Sequence, residues 1–248
     1  MKKIVILFIL LSTFSSRIYS QSNGSFHLDQ IQATLDRLYA NSIQSKNQDS
    51  LVLAGKWLAT QKQSKVVTYW QSYEKLFEGL SDLNSGREAP AKNAIGEAIK
   101  IIESYKHPDS ELYALLAYAQ SVSIRFATGM DAATLAMEST KNAQKAIAAD
   151  SMNIRGWVIL GMIDYYSPEI YGGKTKCESL WTKALSLPSQ ESPNRYLPSW
   201  GKREAYVYLL RYLTEKKQSD KAKTIYSEAV KAYPNDPEIS RFKDSFTD

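Results

Sequence analysis

The chain has 248 residues with a formal net charge of +5, 44% hydrophobic residues and one cysteine. A single cysteine excludes an internal disulfide, so the fold must be stabilised by its apolar core. The charge is modest and acids and lysines are interspersed, which together with the absence of a recognisable binding motif argues against a nucleic-acid partner.

Residues 1–20 have the pattern of a secretory signal peptide. Lys2 and Lys3 precede an apolar run of eleven residues from Ile4 to Phe14, and Ser20 is a small residue suited to cleavage before Gln21. A membrane span needs about 20 apolar residues, so we expect cleavage rather than an uncleaved anchor.

Cleavage would leave 28 basic and 26 acidic residues, a net charge of +2, because the segment carries three basic residues and no acid. We expect no anchoring through a lipidated cysteine, since Cys177 lies far from this site. We therefore expect an exported protein, periplasmic or secreted, with peripheral or no membrane contact.

The first half of the remaining chain, residues 21–109, carries helical hydrophobic periodicity. Apolar residues recur every three or four positions, and alternation with period two is absent. The pattern predicts irregular helical hairpins that extend or cap a larger stack; the helical stripes include Leu28 to Leu38, Leu51 to Leu58, Val66 to Leu80 and Ile95 to Ile102.

The second half, residues 110–248, contains a repeat of about 34 residues. Its last unit has an aromatic and leucines followed by alanine, aromatic, alanine and proline at the spacing of a tetratricopeptide repeat (TPR). The residues that match are Tyr206, Leu209, Leu210, Leu213, Ala222, Tyr226, Ala229 and Pro234.

Two earlier units follow the same order, one starting near Tyr113 and one near Trp157. The first has ten extra residues between its halves and the second has four. Since each hairpin buries its apolar face only against neighbours, the pattern predicts an all-α, TPR-like solenoid.

Three segments of the chain resemble known exported proteins. They run from Asn153 to Trp157 and from Tyr166 to Gly173, with Pro198 to Gly201 further on. The sequence resembles a family of exported bacterial TPR proteins of unassigned function over residues 66–234. The turn with the double glycine is also similar, over about 40 residues, to the periplasmic T-component of TRAP-type transporters. The resemblance implies an exported binding module and no catalytic residue.

Catalytic and cofactor motifs are not apparent. His27 and His107 lie outside the repeats, and neither has acids or cysteines at metal-ligand spacing. Cys177 takes a repeat position that favours a small packed residue. Gly172 and Gly173 precede Lys174 and Thr175 without the rest of a phosphate loop, so they indicate a turn. We expect no cofactor, no metal and no enzymatic activity.

The concave face of a TPR solenoid is formed by the first helix of each pair. Helical spacing places a mixed set of side chains there, of types enriched at interfaces. The predicted groove residues are Tyr118, Arg125, Arg155, Met162, Tyr165, Tyr166 and Arg211, with Ser121 and Glu204 beside them.

Two insertions, at Ser167 to Gly173 and Leu187 to Trp200, depart from the plain repeat. They either line the binding surface or pack against the stack, and for Trp200 and Gly201 we favour packing. The sequence predicts a scaffold that binds a protein or peptide partner in the groove. A carrier of a small apolar ligand in envelope transport is the alternative, and a hydrolase is a third class.

Overall fold

The structure, a computed structural model, describes residues 26–189 and 194–246, so the predicted signal peptide lies outside the described residues. The described chain contains eleven α-helices and no strand, which confirms the predicted all-α class. The helices are α1 (Ile31–Ser45), α2 (Asp49–Ala59), α3 (Lys65–Asn84), α4 (Glu88–Glu103), α5 (Ser110–Ser123), α6 (Gly129–Ala149), α7 (Ile154–Tyr166), α8 (Cys177–Ser186), α9 (Lys202–Glu215), α10 (Ser219–Ala232) and α11 (Pro237–Ser240).

The helices form five consecutive hairpins, from α1–α2 to α9–α10, followed by the short α11. Each second helix also packs on the first helix of the next hairpin. Successive first helices contact one another, whereas successive second helices make no comparable contacts within the described chain. The stack therefore curves with its first helices, α1, α3, α5, α7 and α9, on the concave side.

Side-chain caps set where several helices begin. The side chains of Ser64, Asp109 and Asn153 each accept a hydrogen bond from a backbone N–H in the first turn of α3, α5 and α7. Asp164 reaches from α7 to the start of α8, where it accepts from the N–H groups of Lys176 and Cys177. Such caps satisfy amides that a helix leaves unpaired.

Small residues allow the two helices of a hairpin to pack closely. Gly161 on α7 lies against the Trp181 indole on α8, and Gly79 on α3 lies against Ile95 on α4. Trp181, Cys177 and Ala184 are fully buried on α8. Cys177 thus packs as a core residue, and burial raises the pKa of its thiol to about 11.

The three predicted repeat units starting near Tyr113, Trp157 and Tyr206 fall on the hairpins α5–α6, α7–α8 and α9–α10. The ten extra residues of the first unit lengthen α6, which has 21 residues. The four extra residues of the second form a turn with a short 3-10 helix at Glu169–Tyr171. Within the described residues, no helix is long and apolar enough to cross a membrane.

Candidate partner-binding groove

The centre of the concave face is built from tyrosines on three first helices. Tyr166 ends α7 and is 62% exposed. Its ring lies edge-on to Tyr208 of α9, with 6.3 Å between centroids. The guanidinium of Arg211 lies 5.2 Å from the Tyr208 ring centre and donates to the Tyr166 hydroxyl at 3.3 Å.

The aromatic surface continues toward the N-terminal hairpins. The half-buried Tyr118 on α5 packs on Trp200, with centroids 5.9 Å apart. On α1, Tyr39 packs against Phe77 of α3 at 4.4 Å. We call the surface formed by Tyr39, Tyr118, Tyr166, Tyr208 and Arg211 the tyrosine groove.

Acidic groups from α1, α9 and α11 lie around the tyrosine groove. Burial raises the pKa of Tyr39 to about 12, with a further contribution from the negative charge of Glu238. Burial also raises the pKa of Tyr118 well above its usual range, and Glu204 and Glu238 add to this effect. Burial raises the pKa of Asp36 to about 6, although the hydrogen bond that Tyr73 donates to its carboxylate lowers the pKa.

The last hairpin and α11 hold their charges through ion pairs. Arg203 binds Asp236 and Glu238, and Arg211 reaches the other oxygen of Glu238 at 3.4 Å. Glu204 accepts a hydrogen bond from the Gly201 amide at 2.7 Å. Gly201 has a φ of 123°, a left-handed conformation that favours glycine where the chain turns into α9.

The segment from Tyr196 to Gly201, which we call the return segment, crosses the N-terminal ends of the first helices. The Trp200 indole donates to the Tyr69 hydroxyl at 2.7 Å, and the Trp70 indole donates to the Tyr196 carbonyl at 2.9 Å. The Ser199 amide donates to Gln32 of α1 at 2.7 Å. These contacts fix the return segment against α1 and α3, so Trp200 has a packing role, and they close that edge of the concave face.

The seven predicted groove residues divide between the surface and the core. Tyr118, Tyr166 and Arg211 come together in the tyrosine groove. Arg125 is on the surface in the short 3-10 helix Ile124–Phe126 that follows α5, 3.7 Å from Glu88. The other three are largely buried: Arg155 at 1% exposure, Met162 at 6% and Tyr165 at 9%.

The burial of Arg155 and Tyr165 has clear partners. Arg155 pairs with Glu111 of α5 and donates to the Trp200 carbonyl at 2.8 Å. Tyr165 packs on Trp181 and donates to Glu215 at 2.7 Å. Arg155 therefore points from α7 toward the preceding hairpin, where Glu111 lies on α5. Tyr165 points toward α8 and the end of α9.

Sequence reasoning missed Tyr39, Tyr208 and Glu238 as groove residues. Tyr208 lies four positions after Glu204 and three before Arg211, so helical spacing alone could have found it. Tyr39 and Glu238 belong to the first hairpin and to α11, and only the curvature of the stack brings them near Tyr118.

A separate cleft lies on the outer side of the stack. It has a volume of about 300 Å³ between α6, α7 and α8, with Thr140, Ile163, Tyr171 and Leu180 among its lining residues. Within residues 26–189 and 194–246, no group of three or more histidine, cysteine or acidic side chains could hold a metal ion.

Comparisons with known proteins support the fold. No family model and no curated protein matches the sequence. Among solved structures, a thermophilic TPR protein of Thermus thermophilus superposes with a TM-score of 0.55 at 16% identity, covering 87% of this chain and 98% of that one. The HusA haemophore of Porphyromonas gingivalis gives 0.53 at 19% identity, covering 78% and 96%. The chain is an all-α, TPR-like solenoid, a fold that commonly presents surfaces for protein partners.

Proposed function

We propose that this chain is a non-enzymatic, periplasmic or secreted scaffold that binds a protein or peptide partner in the tyrosine groove. The observation that carries the proposal is the group of accessible aromatic and arginine side chains on three consecutive first helices, centred on Tyr166 and Tyr208. Tyrosine and arginine combine large contact area with polar groups and are enriched at protein interfaces.

A binding role rather than catalysis is supported by the burial of Cys177. The Cys177 thiol is buried and its pKa is raised to about 11, whereas a reactive cysteine needs an exposed thiolate. His107 lies in the turn between α4 and α5. Asp164, close to Cys177, caps α8.

Export is proposed from the signal-like pattern of residues 1–20. Its test is N-terminal sequencing of the protein recovered from periplasmic and culture fractions of its own cells. A mature chain that begins at Gln21 supports the proposal, and an intact Met1 in the cytoplasmic fraction contradicts it.

Partner binding is tested by gentle purification from the cell envelope followed by native mass spectrometry. The groove variant combines Tyr166→Ser with Arg211→Ser, which removes the exposed Tyr166 ring and the partly exposed Arg211 side chain without opening the core. The matched control is Tyr171→Ser, because Tyr171 is 82% exposed but lines the outer cleft.

A stoichiometric polypeptide that is lost from the groove variant and retained by the Tyr171 control supports the proposal. Equal recovery of the polypeptide with both variants would show that the tyrosine groove is not its binding site. A bare protein carrying a few hundred daltons of extra mass would instead indicate a small-ligand carrier. Hemin is the probe for that outcome, because the HusA neighbour is described as a haemophore.

A further inference from the structure

The charge around the tyrosine groove is opposite in sign to that of the chain. The whole chain carries a formal +5. The acids near the groove are Asp36, Glu204, Asp236 and Glu238, and the cations among them are Arg203 and Arg211. Four carboxyl groups thus face two guanidinium groups.

Both guanidinium groups already contact acids at the start of α11, Glu238 and its N-cap Asp236. Arg203 contacts Asp236 and Glu238, and Arg211 contacts Glu238. Glu204 lies 3.6 Å from Arg203, which Asp236 holds more closely at 2.6 Å. Asp36 accepts hydrogen bonds from Tyr73 and Gln32, both neutral side chains, and has no ion pair among the described residues. Negative charge therefore remains on the α1 and α9 sides of the groove.

The tyrosine rings add to the same preference. The face of an aromatic ring carries negative electrostatic potential and attracts ammonium and guanidinium groups. Arg211 already uses the Tyr208 ring in this way. The rings of Tyr39 and Tyr118 lie close enough to Glu238 and Glu204 for the carboxylates to raise their pKa values. Rings and carboxylates together match a cation on an apolar stem, as in lysine or arginine.

We infer that the tyrosine groove selects a partner segment that carries lysine or arginine next to apolar side chains. This inference rests on the proposed function, since it names the chemistry of the partner bound at the same site. Charge complementarity of this kind fixes which partner is accepted and speeds the encounter.

The test uses two synthetic octapeptides with blocked ends, one alternating leucine with arginine and one alternating leucine with glutamate. Binding to the full-length mature protein is measured by calorimetry at pH 8, where the Asp36 carboxyl is ionised. We expect the arginine peptide to bind at least tenfold more tightly than the glutamate peptide, with a difference that shrinks as salt increases.

Charge-neutralising variants locate the effect. Asp36→Asn combined with Glu238→Gln preserves side-chain shape and should weaken binding of the arginine peptide roughly fivefold or more. The control is Glu138→Gln on the outer helix α6, which changes the charge equally away from the groove and should leave affinity unchanged. Each single variant is also measured, so that a folding defect in one does not decide the result.

Equal affinity for the two peptides, no binding of the arginine peptide, or equal weakening by the Glu138 control would overturn the inference. A native partner that is lost from the Tyr166 and Arg211 variant but insensitive to the Asp36 and Glu238 changes would refute only the charge preference. A native partner that both sets of variants still bind would contradict the proposed function itself.

Discussion

Arg155 and Glu111 form an ion pair that joins α7 to α5 beneath the return segment. The guanidinium uses two nitrogens on the carboxylate and a third on the Trp200 carbonyl, and the arginine is 1% exposed. Burial raises the pKa of the Glu111 carboxyl, and the positive charge of Arg155 opposes that change. The pair therefore links two hairpins and the return segment at one point.

Replacing Arg155 with Met should lower the free energy of unfolding by about 3–5 kcal/mol, because a largely buried carboxylate then loses its counterion. The control is Lys221→Met, whose partner Glu178 lies on the surface, with an expected cost below about 1 kcal/mol. Urea denaturation followed by circular dichroism measures both. Adding Glu111→Gln to Arg155→Met should recover part of the loss, and similar costs for the two single variants would contradict this account.

How far the sequence predicts this fold is clearest at the last repeat. The spacing from Tyr206 to Pro234 is local, and it predicts α9 and α10 and the turn between them. The fold class follows because each such hairpin requires a neighbour. The length of α6 is less predictable, since ten extra residues can form either a loop or additional helix.

The candidate site is predictable only in part. Helical spacing places Tyr118, Tyr166 and Arg211 on the concave face. It cannot show that Arg155 is buried, because Glu111 lies 44 positions earlier and Trp200 lies 45 later. Contacts between such distant residues depend on the curvature of the whole stack and on the return segment.

Two helical glycines should respond to alanine in opposite directions. A Cβ on Gly161 would lie 2.3 Å from the indole nitrogen of the buried Trp181, whereas one on Gly96 would meet nothing within 4 Å. Gly161→Ala should cost about 1–3 kcal/mol through overpacking. Gly96→Ala should raise the free energy of unfolding by about 0.5–1 kcal/mol, since alanine is the better helix former. The urea midpoints measure both changes, and the same sign for both would contradict the packing of α7 on α8.

Glu74 should make stability depend on pH. Its side chain is 1% exposed and lies against Gly55 of α2, and burial raises its pKa to about 8 although Lys75 opposes the shift. The folded-state pKa of Glu74 exceeds the unfolded value. The contribution of its protonated form to the free energy of unfolding is therefore complete below about pH 4.5 and declines as pH rises to about 8.

Glu74→Gln should therefore be more stable than the parent by about 3–5 kcal/mol at pH 9 and nearly equal to it at pH 4.5. Urea denaturation at pH 4.5, 7 and 9 measures this difference. Glu97→Gln is the control, because Glu97 is 60% exposed and contacts the same Lys75. If the difference in stability between the parent protein and Glu74→Gln did not change with pH, the raised pKa of Glu74 would be contradicted.

The hydrogen bond from Trp200 to Tyr69 should stabilise the return segment by a measurable coupling energy. The two residues are 131 positions apart and their hydrogen bond is buried. Trp200→Phe should cost about 1–3 kcal/mol, because it shortens the side chain and leaves the Tyr69 hydroxyl without this donor. Tyr69→Phe alone should cost about 1 kcal/mol.

The double variant should cost less than the two single variants together by about 1 kcal/mol, since the second change then removes no further interaction. Urea denaturation gives the three free energies, and amide exchange in α3 shows whether the return segment has detached. Strict additivity of the two changes would mean that this hydrogen bond contributes nothing and that the Trp200 side chain stabilises the return segment through ring packing on Tyr73 and Tyr118.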